Sequence, residues 1–430
     1  MHVILATMGT DGDVFPHIGL GATLRARGHH VTLAAPEPYQ TRALALGLEF
    51  CPLVTTAEVG RMIADPDLWH PLRSGRMMAR WGSPMIPRQY EMLADLARDP
   101  QSVIVANPGV MAARLVQEKL GRPTATLLLQ PGLLPSSTAP PEMPGGLTIP
   151  SWLPQPLREL YWLCVDTAGY LLVAKPLNTI RAALGLRQVR RLFRWWLSTD
   201  LVIGLFPDWY AAHQPDWPQQ LRLAGFGRFD GTGEELPDDV RAFCQSGTRP
   251  IAFTFGTGMT HAAGFFRAAV ASCAALGARG IFLTKYPNLI PAKLPPSIHH
   301  CRFAPFRQLL PLCGALVHHG GVGTTAAALA SGCPQLVLPL AWDQPYNAAR
   351  VTRLGVGLSL GSRQRTSGHI TRALARLMTP EVRTQCQTVA AQDSEKNGFD
   401  VAARWVEELV AERTLVGTDE LPQQCPGSAS

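Results

Sequence analysis

The run Val317-His318-His319-Gly320-Gly321-Val322-Gly323-Thr324-Thr325 has the residue types of an anion site. An apolar strand-like stretch precedes it, and an alanine-rich stretch suited to a helix, Thr325 to Ala330, follows. Glycines let a backbone approach a bound group closely, and the free N–H groups of a first helical turn point at that group along the helix dipole. Phosphate is the natural occupant, with His319 and the Thr324 hydroxyl as side-chain donors. The plainer reading is a tight turn that needs glycine for geometry alone.

About twenty residues on comes Pro339-Leu340-Ala341-Trp342-Asp343-Gln344-Pro345-Tyr346-Asn347, again between a strand and a helix. A carboxylate beside a carboxamide, Asp343 and Gln344, can grip the vicinal hydroxyls of a sugar; capping of the next helix by Asp343 is the common alternative. Upstream, Phe303-Ala304-Pro305-Phe306 offers an aromatic face and a rigid turn for stacking a base. Phosphate, sugar and base in chain order spell a nucleotide-sugar site.

A second centre lies at the other end of the chain, in Gly12-Asp13-Val14-Phe15-Pro16-His17. A free Asp has a pKa near ~3.9 and is a poor base for an alcohol, whereas a cleft partly closed against water raises it. Asp13 is therefore a candidate general base, with capping of a helix that opens at Pro16 as its structural alternative and His17 as a fallback base.

The elements that must position these groups follow from the pattern. His2–Ala6 and His30–Ala34 read as strands flanking a glycine-rich loop, Gly9 to Asp13, and a helix from Pro16 to about Arg27 closed by Gly28. Val103–Val105, Thr124–Leu128 and Leu201–Leu205 continue the series, and Ile251–Thr254, Gly280–Thr284, Ala315–His318 and Gln335–Leu338 form a second one. The expected fold is α/β, two doubly wound Rossmann-like domains facing across a cleft. Boundaries are placed at 1–230, a polar linker 231–249, a second domain 250–415 closed by two helices near 367–413, and a disordered tail 416–430. Residues 61–95 and 131–176 are dense in Trp, Met and Pro and read as insertions beside the ligand edge, with Trp69, Met77, Met78, Trp81 and Trp162 as acceptor-channel candidates or simple core residues.

Composition narrows the function classes. The chain has 430 residues, 46% apolar and 17% charged, which is globular and long enough for two domains. No apolar run reaches the length of a membrane span; Leu160 to Leu177 comes nearest and is broken by Asp166 and Lys175. The start of the chain lacks a basic region and a cleavage site, and the nine cysteines are scattered without metal-ligand spacing, so a cytoplasmic protein is expected. The net charge of +7 comes without a basic stripe interleaved with aromatics, which argues against nucleic acid and leaves peripheral contact with anionic lipid open.

The constellation from Phe303 to Gln344 resembles the family 1 glycosyltransferases of the GT-B fold. That resemblance implies that His319, Gly321, Gly323 and Thr324 line a diphosphate, that Asp343 and Gln344 hold the donor sugar, and that the Phe303 position, with Phe306 beside it, stacks on the base. It also matches Phe255-Gly256-Thr257 to a glycine-hydroxyl loop, which brings in Thr257, and Asp13 to the catalytic base. Members with a His base often carry an Asp on a later strand; here that region reads Ile104-Val105-Ala106-Asn107-Pro108, which fits an Asp base acting alone. Gly12, His17, Trp69 and Trp81 are acceptor-side candidates. Middle segments such as Asp67-Leu68-Trp69, Asp216-Trp217-Pro218-Gln219 and Gly277–Thr284 are similar to rhamnosyltransferases of rhamnolipid synthesis. The implied reaction is inverting transfer of L-rhamnose from dTDP-L-rhamnose to a hydroxy-fatty acyl ester, with no metal or further cofactor. A UDP-glucose-dependent glucosyltransferase acting on a sterol, carotenoid or polyketide is the alternative. A dinucleotide-dependent oxidoreductase is set aside because Met8–Asp13 lacks G-x-G-x-x-G and adds carboxylates. A nonenzymatic lipid- or nucleotide-binding chain would have no use for the full set of Asp13, His319, Asp343 and Gln344.

Overall fold

A computed structural model describes residues 1–229, 235–259, 262–392 and 397–419. Two all-parallel sheets organise it. The first has seven strands, β1 (His2–Ala6), β2 (His30–Pro36), β3 (Glu49–Val54), β4 (Ser102–Ala106), β5 (Thr124–Leu128), β6 (Leu201–Gly204) and β7 (Leu221–Leu223), in the order β3-β2-β1-β4-β5-β6-β7. The second has six, β8 (Ile251–Thr254), β9 (Gly280–Leu283), β10 (Ile298–Cys301), β11 (Ala315–His318), β12 (Gln335–Val337) and β13 (Gly357–Ser359), in the order β10-β9-β8-β11-β12-β13. The central strands are continuous apolar runs because helices cover both faces: Val3, Ile4, Leu5 and Ala6 are all fully buried. In each sheet the strand order reverses once, between β1 and β4 and between β8 and β11. Loops leaving such a pair diverge and open a crevice at the carboxyl edge, which fixes where ligands can sit.

The helix after β1 begins at Asp11 rather than Pro16 and runs to Ala26, so residues expected in a loop are helical and Pro16 lies inside the helix. Proline has no N–H to give, so the carbonyl of Gly12, four residues earlier, lacks its helical partner on the exposed side. The early start is set by Thr10 and Asp13: the Asp13 carboxylate reaches back to the Thr10 N–H at 3.0 Å. Gly9, at φ +125°, allows this return, since a Cβ there would lie 2.1 Å from Asp13 Oδ2.

Two expected boundaries move. The last helix, Gly398–Asp419, packs on the first sheet, not the second: Phe399, Ala402, Ala403, Val406 and Leu409 join the core of Val3, Leu5, Ile18 and Leu33. It also runs past residue 416, where a tail was expected; residues 420–430 lie outside the described residues. Within the expected linker, Leu236, Val240 and Cys244, the latter two on the helix Asp238–Gln245, belong to the core of the second sheet; residues 230–234 lie outside the described residues. Among the described residues three α-helices rather than two follow β13: Ser367–Leu377, Pro380–Gln392 and Gly398–Asp419. The two sheets are joined by a shared apolar core in which Leu128, Tyr210 and Phe226 meet Leu329, Val337 and Val351.

Candidate active site

Asp13 stands in the first turn of Asp11–Ala26, above the switch point of the first sheet. Burial pushes its carboxyl up to about 7; the Thr10 N–H opposes this, while the charges of Asp343 across the cleft and of Asp11 add to it. A carboxylate that exchanges its proton near neutral pH can accept one from an alcohol. Its support comes from a residue the sequence reading noticed only as a missing carboxylate. Asn107, beyond β4, donates through Nδ2 to Thr7 Oγ1 and to the Met8 carbonyl, each at 2.9 Å, and so braces the loop that leads to Asp13. His17 departs from its expected role. It is fully buried, its Nδ1 bonds the Asp13 carbonyl at 2.8 Å, and burial lowers its pKa to about 4, which makes it a neutral prop of the helix rather than a base or an acceptor contact.

On the facing side, the helix Val322–Ala330 opens directly after the glycine run. His319 is packed between two glycines: a Cβ on Gly256, at φ +83°, would lie 2.8 Å from its Cε1, and one on Gly321 would lie 2.7 Å from its Nε2. Burial lowers its pKa to about 4, and its buried Nδ1 has no hydrogen-bond partner among the described residues. Its neighbour His318 is wholly structural: Nδ1 accepts from the Gly320 N–H at 3.2 Å, which leaves Nε2–H to donate to Gln335 at 3.1 Å. Gly323 is exposed and a Cβ there would meet nothing within 4 Å, so the first turn of the helix faces open space. Thr324 stands in that turn, half-buried, while the Thr325 hydroxyl is spent on the Gly321 carbonyl.

Asp343 does not cap its own helix, Gln344–Arg353. Its Oδ2 accepts from the Val322 N–H at 3.2 Å and from Asn347 Nδ2 at 2.7 Å, and burial raises its pKa to about 6. The sugar-gripping candidate is thus fixed at the N-terminus of the helix Val322–Ala330. Gln344 is nearly fully buried, and its Oε1 accepts from the N–H groups of Leu340 and Ala341 at 2.7 and 3.2 Å. It shapes the loop that carries Asp343.

The remaining candidates divide. Phe303 is exposed, whereas Phe306 packs against the core of the second sheet. Thr257 is half-buried beside Gly256, and its carbonyl accepts from the Tyr286 hydroxyl at 3.0 Å. Gly12 is exposed. Trp81 is tied to Asp65 at 2.9 Å within its own insertion, Trp162 donates to the Ser136 carbonyl at 2.8 Å, and Met77 is buried. Trp69 was expected on the acceptor side and instead crosses to the loops of the second domain. Its Nε1 donates to the Gly258 carbonyl at 3.2 Å and its ring meets His319 edge to face.

Sequence reasoning missed three cross-cleft contacts because nothing local marks them. Trp342 Nε1 donates to the Leu68 carbonyl at 2.9 Å, from a backbone at φ 59°, the one non-glycine residue at positive φ among the described residues. Tyr210 donates to Asn347 Oδ1 at 2.7 Å, and Arg353 pairs with Glu142. At the opposite edge of the first sheet, His2, His30 and Glu49 come together through the register of β1, β2 and β3, away from the cleft.

Two Rossmann-like domains thus face one cleft, with an open helix N-terminus on one side and a carboxyl of raised pKa on the other. The chain belongs to the GT-B glycosyltransferases of family 1 and is a nucleotide-sugar-dependent enzyme. Residues 3–132 match the glycosyltransferase family 28 N-terminal domain, and residues 283–407 match the erythromycin biosynthesis protein CIII-like C-terminal domain. Glycosyltransferase GtfE of Amycolatopsis orientalis is 30% identical over 409 residues, 91% of this chain and 93% of that one. The vancomycin aglycone glucosyltransferase of the same organism is 29% identical over 426 residues, 96% and 98% of the two chains. Among solved structures, the glycotransferase of kitacinnamycin superposes with a TM-score of 0.71 at 20% identity over 95% of this chain and 99% of that one. The spinosyn rhamnosyltransferase SpnG, complexed with thymidine diphosphate, does so at 0.59 and 19% identity over 98% and 100%.

Proposed function

We propose that this chain transfers L-rhamnose from dTDP-L-rhamnose to the hydroxyl of a hydroxy-fatty acyl ester, with inversion at the anomeric carbon. The observation that carries a base-assisted displacement is the Asp13 carboxyl, raised to about 7 in the same cleft as His319 and the helix terminus at Gly323. With Oδ2 held by the Thr10 N–H, Oδ1 is the oxygen that takes the acceptor's proton. The acceptor oxygen then bonds to the anomeric carbon as the bond to the diphosphate breaks. The leaving diphosphate keeps that electron pair, and its charge is met by His319, the Thr324 hydroxyl and the free N–H groups of the first turn. Such preorganised donors are each worth ~10²–10³ in rate. They do the work a bound cation does elsewhere, so the reading includes no metal and no further cofactor. Asp343 holds donor-sugar hydroxyls, with Gln344 fixing its loop, and Phe303 stacks on the base, with Phe306 behind it and Thr257 at the diphosphate.

Support for the thymidine donor comes from SpnG, named a rhamnosyltransferase and crystallised with thymidine diphosphate, and support for the lipid acceptor from the resemblance in the middle segments. The similarity to an aglycone glucosyltransferase favours a second reading, a UDP-glucose-dependent enzyme acting on a natural product. Thermal stabilisation by dTDP and by UDP separates them. A ligand at 100 times its Kd adds ~2.7 kcal/mol. Preference for dTDP supports rhamnosyl transfer, preference for UDP supports the glucosyl reading, and no response to either overturns both. The site of work on this reading is the cytoplasmic side, with lipid acceptor drawn from the membrane's inner face.

A further inference from the structure

Between β5 and β6 the chain forms one continuous helix from Gln155 to Ala183, with a wide π turn at Tyr170–Ala174 just before Pro176. One face is built into the protein: Asp166 and Gly169 are buried, Trp162 donates to Ser136, and Asp166 accepts from the Phe193 N–H. The opposite face is exposed and rich in leucine. Leu157, Leu160, Leu163, Leu171 and Leu172 are exposed, Leu171 at 66%, and Trp152 just ahead of the helix stands 79% exposed. Leu157, Leu160 and Leu171, spaced three and eleven residues apart, share one stripe about 20 Å long at 1.5 Å per residue, and Leu163 and Leu172 flank it on either side. Ordinary surface helices carry charge there.

The charges around the stripe identify what covers it. From Trp152 to Arg194 there are seven basic residues and two carboxylates, which is five of the chain's seven net positive charges. Lys175, one helical turn after Leu171, stands exposed on the leucine face itself, and Arg187, Arg190, Arg191 and Arg194 are exposed in the segment that follows the helix. A second copy of this chain would bring the same positive charge against it. An anionic bilayer surface matches both the leucines and the arginines. Among the described residues no helix is long and apolar enough to cross a membrane, so the helix would lie in the plane of the interface.

We infer that the leucine face of helix Gln155–Ala183 docks this enzyme on an anionic lipid bilayer. The helix is pinned by Trp162 and Arg158 to the carbonyls of Ser136 and Thr138, in the segment that leaves β5 at the cleft edge. Docking therefore sets the cleft beside the lipid surface. That the acceptor enters from there rests on the lipid-acceptor reading above; the docking itself does not.

The test is co-sedimentation of the full chain with vesicles of phosphatidylglycerol and phosphatidylcholine, against vesicles of phosphatidylcholine alone. Binding to the anionic vesicles is expected, weaker in high salt, and reduced about tenfold or more in Leu160→Gln/Leu171→Gln, both exposed positions. Melting temperature and dTDP stabilisation of that variant should equal the parent's, which separates lost docking from lost folding or lost donor binding. No binding to anionic vesicles overturns the inference, as does binding that the leucine substitutions leave unchanged. A concentration-dependent dimer that the same substitutions dissociate would assign the stripe to a second copy and overturn it too. Failure here with intact dTDP stabilisation leaves the catalytic reading standing.

Discussion

Trp69 and His319 meet edge to face across the cleft, with ring centroids 6.4 Å apart, and bring together a helical insertion of the first domain and the glycine-rich loop that follows β11 in the second. The Trp69 indole is anchored to the Gly258 carbonyl, and one residue earlier the Leu68 carbonyl takes the indole N–H of Trp342. The two tryptophans thus close the same seam from opposite sides, and the Leu68 bond offsets part of the ~1–3 kcal/mol that a bulky residue at positive φ costs. Trp69→Ala removes a hydrogen bond and a ring contact together worth about 1–2 kcal/mol. The expected result is a roughly tenfold rise in donor KM with a small loss of melting temperature, and a smaller rise in Trp69→Phe, which keeps the ring. An unchanged donor KM in Trp69→Ala would remove the seam from the donor site.

If Asp13 is the base, it acts only when deprotonated. Its pKa of about 7 then appears as the acidic limb of the kcat/KM profile, with activity rising through that pH. Asp13→Asn should lose ~10²–10⁴ in kcat and keep dTDP stabilisation, because the residue lies in the opposite domain from His319 and the glycine-rich loop proposed to hold the diphosphate. A variant that retains the limb near 7 would assign it to Asp343 or another group.

His319 sits neutral in a slot whose walls are the Cα atoms of Gly256 and Gly321. Arrival of a diphosphate favours its protonated form and a charge-assisted hydrogen bond worth about 1.5–3 kcal/mol. His319→Ala should therefore weaken dTDP binding about 10- to 100-fold. Gly256→Ala should do the same indirectly, by driving a methyl group into the ring at a positive φ, and lower stability by about 2 kcal/mol. Titration calorimetry with dTDP distinguishes the two effects from global unfolding.

The nine strands legible in the sequence are the nine interior strands of the two sheets, and the four that were not, β3, β7, β10 and β13, are the four edges. The reason is physical. Interior parallel strands such as Val3–Ala6 are apolar on both faces and stand out as runs, whereas edge strands such as Glu49–Val54 and Ile298–Cys301 are half-exposed and mixed in composition. The turn between β11 and the helix Val322–Ala330 was legible for a related reason, since the glycines it needs at a strand end are local in the sequence. What could not be read was the partner across the cleft. Trp69, Trp342, Tyr210 and Asn347 act through bonds that span well over a hundred residues, and no local pattern encodes them.

The buried ionisable groups of the cleft also shape stability against pH, in opposite senses. His17, His318 and His319 are held neutral with pKa values of about 4, 3 and 4, against ~6.5 in an unfolded chain. The unfolded state binds more protons below pH 6.5, so the stability these groups allow is present above that pH and lost as pH falls toward 4. Asp13 is raised to about 7, against ~3.9 unfolded, so here the folded state binds more protons and stability is lost as pH rises from 4 through 7. Asp13→Asn abolishes that second loss while keeping a side-chain oxygen for the Thr10 N–H. The melting temperature of the variant minus that of the parent should therefore grow between pH 5 and pH 8, by an amount corresponding to about 2 kcal/mol once partial solvent screening is allowed for. A difference that stays flat across this range would mean that Asp13 is ionised at its ordinary pKa, and the base assignment would lose its physical ground.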